Sequence, residues 1–109
     1  MKTPLIIAAL LALPLAAQAA DPAAEMAPEM KLAQKNGCLA CHDLDVKKVG
    51  PAWREVAKKY AGDGEAEAML VTKVKKGGKG HWGEVPMPAN VTVKDTDIKT
   101  LVQYVLALQ

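Results

Sequence analysis

Apolar positions recur most regularly near the end of the chain, where Ile98, Leu101, Val102, Val105 and Leu106 keep the i, i+3, i+4, i+7, i+8 spacing of one helical face. That period predicts a final helix running to the C-terminus, with Asp95 or Thr96 as its capping residue. Trp53, Val56, Ala57 and Tyr60 make a second buried stripe on a helix opened by Pro51 and ended by Gly62 and Gly64. Glu65 to Lys76 forms a third helix, with Met69, Leu70 and Val74 turned inward and Gly77-Gly78 as its stop. Upstream, Pro28 suits a first helical position and Glu29 to Asn36 continues a short helix, with Met30 and Ala33 on one face and Gly37 at its end. No stretch alternates in the manner of a half-buried strand, so the expected class is all-α, with about four short helices joined by long loops.

The first residues follow a different pattern. Lys2 supplies a positive start, Leu5 to Ala17 is apolar apart from Pro14, and Ala17-Gln18-Ala19 is a small-residue cleavage pattern. The run is shorter than the roughly 20 residues needed to span a membrane, so residues 1–19 read as a secretory signal peptide that is removed. Removing 19 of the 109 residues leaves 90, spanning 20–109, enough for one small domain. Asp21 to Ala27 has no apolar period and reads as a loose lead-in.

Composition sharpens this picture at one point. Hydrophobic residues make up 50% of the chain, yet it has only two Trp, two Tyr and no Phe to fill an interior. A domain this short buries only about 60–65% of its unfolded surface and commonly depends on a disulfide, a metal or a cofactor. Fourteen basic residues face twelve acidic ones, too even a balance for nucleic-acid binding.

Cys38-Leu39-Ala40-Cys41-His42 is the C-x-x-C-H pattern that attaches c-type haem. Two thiols three residues apart on a helical turn can reach the two vinyl groups of one porphyrin, while the next residue presents imidazole to the iron. Three other readings compete. A thioredoxin-like redox pair needs a βαβ setting that the helical pattern does not provide. A zinc site needs four ligands, and beyond His42 only His81 is left to help complete the set. A simple disulfide would suit an exported chain.

The occupant of the sixth iron position then decides the function, because a sulfur ligand raises the potential and closes the iron, whereas an open position permits gas binding or peroxide chemistry. Met69 sits in an apolar helical pattern and reads as core, while Met26 and Met30 lie close to the attachment segment and are needed on their own helix. Met87 differs, because Pro86 and Pro88 hold its backbone extended in a loop without helical period, which makes it the favoured sixth ligand. His81, between Gly80 and Gly83 in the same loop, is the rival; as a surface residue near the cofactor it would instead tune the potential with pH.

Cys38 to His42, Val49-Gly50-Pro51, Trp82-Gly83 and Pro86-Met87-Pro88 through Asn90 resemble, in the same order, the small class I bacterial cytochromes c of the cytochrome c-551 type. The likeness runs from about Glu29 to Leu108. It implies thioethers at Cys38 and Cys41, axial ligands at His42 and Met87, and a Pro51 carbonyl that accepts from the His42 ring. It further implies that Asn90 hydrogen-bonds near the Met87 sulfur and that the Trp82 indole N–H reaches a haem propionate. Loop packing and turn-making are the plainer roles for Trp82 and Asn90. The chain departs from the family pattern at Lys73, where relatives can carry arginine, at Ala33, often aromatic, at Tyr60, which replaces Phe, and across 91–96, which runs one residue longer.

These residues lead to the expectation of an exported, monomeric, monohaem electron carrier with one covalently bound haem c, not itself an enzyme, and the resemblance implies a periplasmic location. The resemblance suggests a donor such as a cytochrome bc complex and an acceptor such as a nitrite reductase or haem oxidase. Lys35, Lys47, Lys48, Lys75, Lys76 and Lys79 are candidates for a docking rim around a small apolar patch. The alternatives are a haem enzyme or gas sensor with an open sixth site, and a thiol redox or zinc module without haem.

Overall fold

A computed structural model describes residues 26–108. The segment that reads as a signal peptide lies outside them. Pro28 opens helix α1, Pro28–Lys35, where its missing N–H costs nothing, and Asn36 closes it by donating from Nδ2 to the Leu32 carbonyl at 2.9 Å. Gly37 then takes the left-handed conformation, φ 76°, and turns the chain directly into a 3-10 turn at Cys38–Ala40.

Helix α2 is Trp53–Lys59, two residues later than its predicted opening at Pro51. The reason is tertiary. Ala52 is the capping residue and has no side-chain acceptor, so the first amides of α2 are satisfied from elsewhere: Trp53 N–H donates to the Asp43 carbonyl at 2.9 Å and Arg54 N–H to the Leu44 carbonyl at 3.0 Å. The loop after the cysteine pair therefore caps α2, and Pro51 stays outside with its carbonyl available. The helix also stops sooner than Gly62 and Gly64 suggest, with Tyr60 as its C-cap.

Helix α3, Ala66–Lys76, comes after a tight turn in which Asp63 Oδ1 accepts from Glu65 N–H at 2.9 Å, and it ends at Gly77, φ 69°. Glu65 is thus its cap and not its first residue. Helix α4, Asp95–Leu106, begins one position before the predicted caps allow: Lys94 holds the cap position and Asp95 is already helical. Asp95 serves the helix differently. With Asp97 it places negative charge at the positive end of the helix, and it pairs with Lys75 of α3 at 3.0 Å.

α4 is the centre of the packing, touching α1, α2 and α3. Its predicted stripe is buried at Ile98, Leu101, Val102 and Val105, while Leu106 is half-buried. Against it lie Ala33 of α1 and Trp53 and Val56 of α2, and Gln103 donates to Glu67 of α3 at 3.0 Å. The described residues contain no strand, only an isolated bridge between Gly78 and Met87. None of their helices is long and apolar enough to cross a membrane.

Ile98 is the one large side chain that is completely enclosed among the described residues. Ile98→Ala should destabilise the haem-loaded protein by about 2–5 kcal/mol, read as a lower midpoint in guanidinium unfolding with unchanged slope.

Candidate functional site

The left-handed turn at Gly37 and the 3-10 turn after it fold the attachment segment onto itself. Cys41 and His42 N–H both donate to the Cys38 carbonyl, at 3.2 and 3.0 Å. One turn of backbone thus brings Cys38, Cys41 and His42 to the same cavity, which all three line. The cysteines are separate thiols. Burial pushes the Cys38 thiol above its ordinary pKa and the neighbouring Cys41 adds to the rise, against a backbone hydrogen bond that lowers it.

His42 is held on three sides. Its Nδ1 lies 2.8 Å from the Pro51 carbonyl, which can only accept, so Nδ1 is the donor in this bond and Nε2 is left outside it. Trp53 stacks on the ring at a centroid distance of 5.6 Å. Gly50 supplies the third side: a Cβ there would sit 2.6 Å from His42 Cε1, so only a hydrogen fits. Gly50 N–H is itself tied to the Cys41 carbonyl at 2.9 Å, closing 42–49 into a loop around the imidazole.

Met87 reaches the same cavity from the segment between α3 and α4. Its backbone exchanges two hydrogen bonds with Gly78, at 2.9 and 3.0 Å, and its carbonyl packs so closely on Gly77 that a Cβ there would collide with it. Asn90 clamps the segment to α3. Its backbone N–H and its Nδ2 both donate to the Val74 carbonyl, at 3.0 and 3.2 Å, and Nδ2 also lies 3.3 Å from the Pro88 carbonyl. Trp82, 39% exposed, lies at the cavity under the ammonium of Lys59, 4.4 Å from the ring centroid. His81 is exposed beside it.

The cavity measures about 350 Å³ and brings together all seven residues singled out from the sequence: Cys38, Cys41, His42, Pro51, Trp82, Met87 and Asn90. Its remaining lining is largely apolar, with Val56 from α2, Leu70 and Val74 from α3, and Leu101, Val102 and Val105 from α4. The core-facing stripes of three helices thus border this space as well as one another. Two thiols in a C-x-x-C-H turn, an imidazole with its outer nitrogen committed to a carbonyl and a thioether, set among aliphatic side chains, fit a covalently held haem.

The cytochrome c family model matches residues 30–109. The chain belongs to the cytochrome c family. It is 51% identical over 80 residues to cytochrome c-551 of Allochromatium vinosum, covering 73% of this chain and 85% of that one. Cytochrome c-552 of Hydrogenobacter thermophilus is 53% identical over 79 residues, covering 72% and 80%. The crystal structure of wild-type Nitrosomonas europaea cytochrome c552 superposes with a TM-score of 0.71 at 46% identity, over 73% of this chain and 99% of that one. Cytochromes c carry covalently attached haem c and pass electrons between redox partners without acting as enzymes, which removes the thioredoxin, zinc and disulfide readings of the cysteine pair.

Two features of this cytochrome c site escape the hydrophobic pattern. Gly50 reads in the sequence as a chain breaker, although its lack of a side chain serves the His42 ring eight residues earlier. Lys59 stands among several lysines with nothing to single it out, yet its Nζ donates to the His81 carbonyl at 2.8 Å and covers Trp82.

Gly50→Ala should destabilise the haem-loaded protein by about 1–3 kcal/mol, because the methyl must displace the imidazole or the loop. Gly64 meets nothing within 4 Å, and Gly64→Ala in the same chemical unfolding assay should be neutral or stabilising by about 0.4–1 kcal/mol.

Proposed function

We propose that this cytochrome c is a periplasmic one-electron carrier in which His42 and Met87 are the axial ligands of a single haem c attached through Cys38 and Cys41. The observation that carries the reading is that an imidazole with Nδ1 already spent on Pro51 and a thioether held by the Gly78 bridge line one apolar cavity. When bound, the haem supplies an iron that alternates between ferric and ferrous states.

The chain's own residues set the conditions. Pro51 orients His42 and strengthens it as a donor through the shared proton. Met87 would hold the iron through its soft sulfur, which would favour the reduced state and keep other ligands out. Aliphatic side chains from α2, α3 and α4 exclude water, so the surroundings reorganise little when charge changes. Trp82 can donate to a propionate through its indole N–H, and Asn90 holds the Met87 segment to α3.

Residues 1–19 act as a cleaved export signal, leaving 20–109 as the monohaem domain, and export suits the attachment of haem outside the cytoplasm. Docking is monomer to partner, with a donor such as a cytochrome bc complex and an acceptor such as a nitrite reductase or haem oxidase. The supporting surface is the cavity mouth, where Val49 and Val85 are 59% and 64% exposed. Lys47 and Lys48 neighbour the first in sequence, and Lys79 lines the cavity. Lys48 Nζ donates to the Leu39 carbonyl at 3.1 Å, while Lys79 and Lys75 are paired with Glu84 and Asp95.

The ligand assignment predicts that the oxidised protein, matured by an export pathway, shows the weak near-infrared band of sulfur bound to ferric haem. Met87→Ala should abolish it and let carbon monoxide bind the reduced form. A wild-type protein that lacks the band and binds carbon monoxide would be an open-site haem protein instead. The docking surface predicts that electron transfer to an acidic partner slows several-fold as salt rises from about 0.01 to 0.15 M, and a flat dependence would remove the lysines from the interface.

A further inference from the structure

The segment that carries Met87 consists of a base and a tip. The base is the Gly78–Met87 bridge, and the tip, residues 79–86, is closed by Gly80 N–H donating to the Gly83 carbonyl at 2.9 Å and by the Lys79–Glu84 pair at 3.3 Å. These contacts are internal and leave open what holds the tip against the body of the protein. Lys59 does so. From the last turn of α2 its ammonium donates to the His81 carbonyl at 2.8 Å, lies 4.4 Å from the Trp82 ring centroid and lies 5.7 Å from that of Tyr60. A cation is favoured there by the negative end of the helix, and the faces of two aromatic rings add attraction.

The placement of Lys59 on α2 gives the contact a consequence for the site. At its first residue the same helix presents Trp53, which stacks on His42. Six residues separate Trp53 from Lys59, about 9 Å along a helix axis. One short rigid element therefore touches the ring of His42 at one end and the segment bearing Met87 at the other.

We propose that Lys59 is a positioning residue that latches the 79–86 tip onto α2 and so keeps Met87 in place against ligands from solvent. The proposal rests on the assignment of Met87 as the iron ligand. It separates Lys59 from the docking lysines, because its task is to hold the chain's own loop. Lys58 is the natural control: it is the adjacent residue, carries the same charge, and pairs with Glu55 on the same helix at 3.2 Å.

The test uses the haem-loaded protein and free imidazole as a competing ligand for the ferric iron, tracked through the loss of the near-infrared sulfur band. Lys59→Met should bind imidazole about fivefold more tightly than wild type, the scale of one exposed cation–ring contact. Lys59→Arg, which keeps a cation and a donor, should restore wild-type affinity to within about twofold, and Lys58→Met should leave it unchanged. Wild-type affinity in Lys59→Met overturns the latch, as does an equal increase in Lys58→Met, which would make the effect one of net charge. Absence of the sulfur band from the wild-type protein is a separate failure, and it would remove the ligand assignment and the latch together.

Discussion

An apolar space lined from three helices is unfavourable to keep hydrated, and this fold is organised around that constraint. Ile98 alone among the large side chains described is fully enclosed, while Leu70 and Val74 of α3 are half-buried at the cavity. The helices are also short: α1 and α2 have eight and seven residues, lengths that have little stability without tertiary contacts. With two Trp, two Tyr and no Phe in the chain, the interior is completed by the large flat haem c that cytochromes c carry. The same apolar enclosure that makes the cofactor part of the core gives it a low-dielectric surrounding. Stability and redox behaviour thereby share one set of side chains.

The helical architecture was legible mostly where the determinant lay within a few residues, the end of α2 excepted, where Tyr60 caps the helix ahead of Gly62 and Gly64. The period of Ile98 to Val105, Pro28 at the head of α1, and Gly37 and Gly77 at helix ends are local signals, and each element formed where they placed it. The start of α2 was not legible, because its first amides are satisfied by Asp43 and Leu44 carbonyls from a loop whose path no local pattern encodes. Asp95 has the chemistry of a cap, but an ion pair with Lys75 and the helix dipole suit it equally well one position inside.

The site divides in the same way. Cys38, Cys41 and His42 are adjacent and declare themselves, and the prolines flanking Met87 mark it among the methionines. That the two groups meet at one cavity is a property of the fold. Gly50 and Lys59 act through space on groups eight and more than twenty residues away, so their roles emerge only when the chain is folded.

The double attachment of Asn90 to the Val74 carbonyl fastens the Met87 segment to the third helix before the chain leaves for the fourth. The connecting residues, Val91 to Lys94, are mostly exposed, with Val91 at 83%. The join between the Met87 segment and the last helix therefore contributes little to the packed interior. A residue added or removed there would disturb little of the core, while the clamp upstream keeps the Met87 segment on α3.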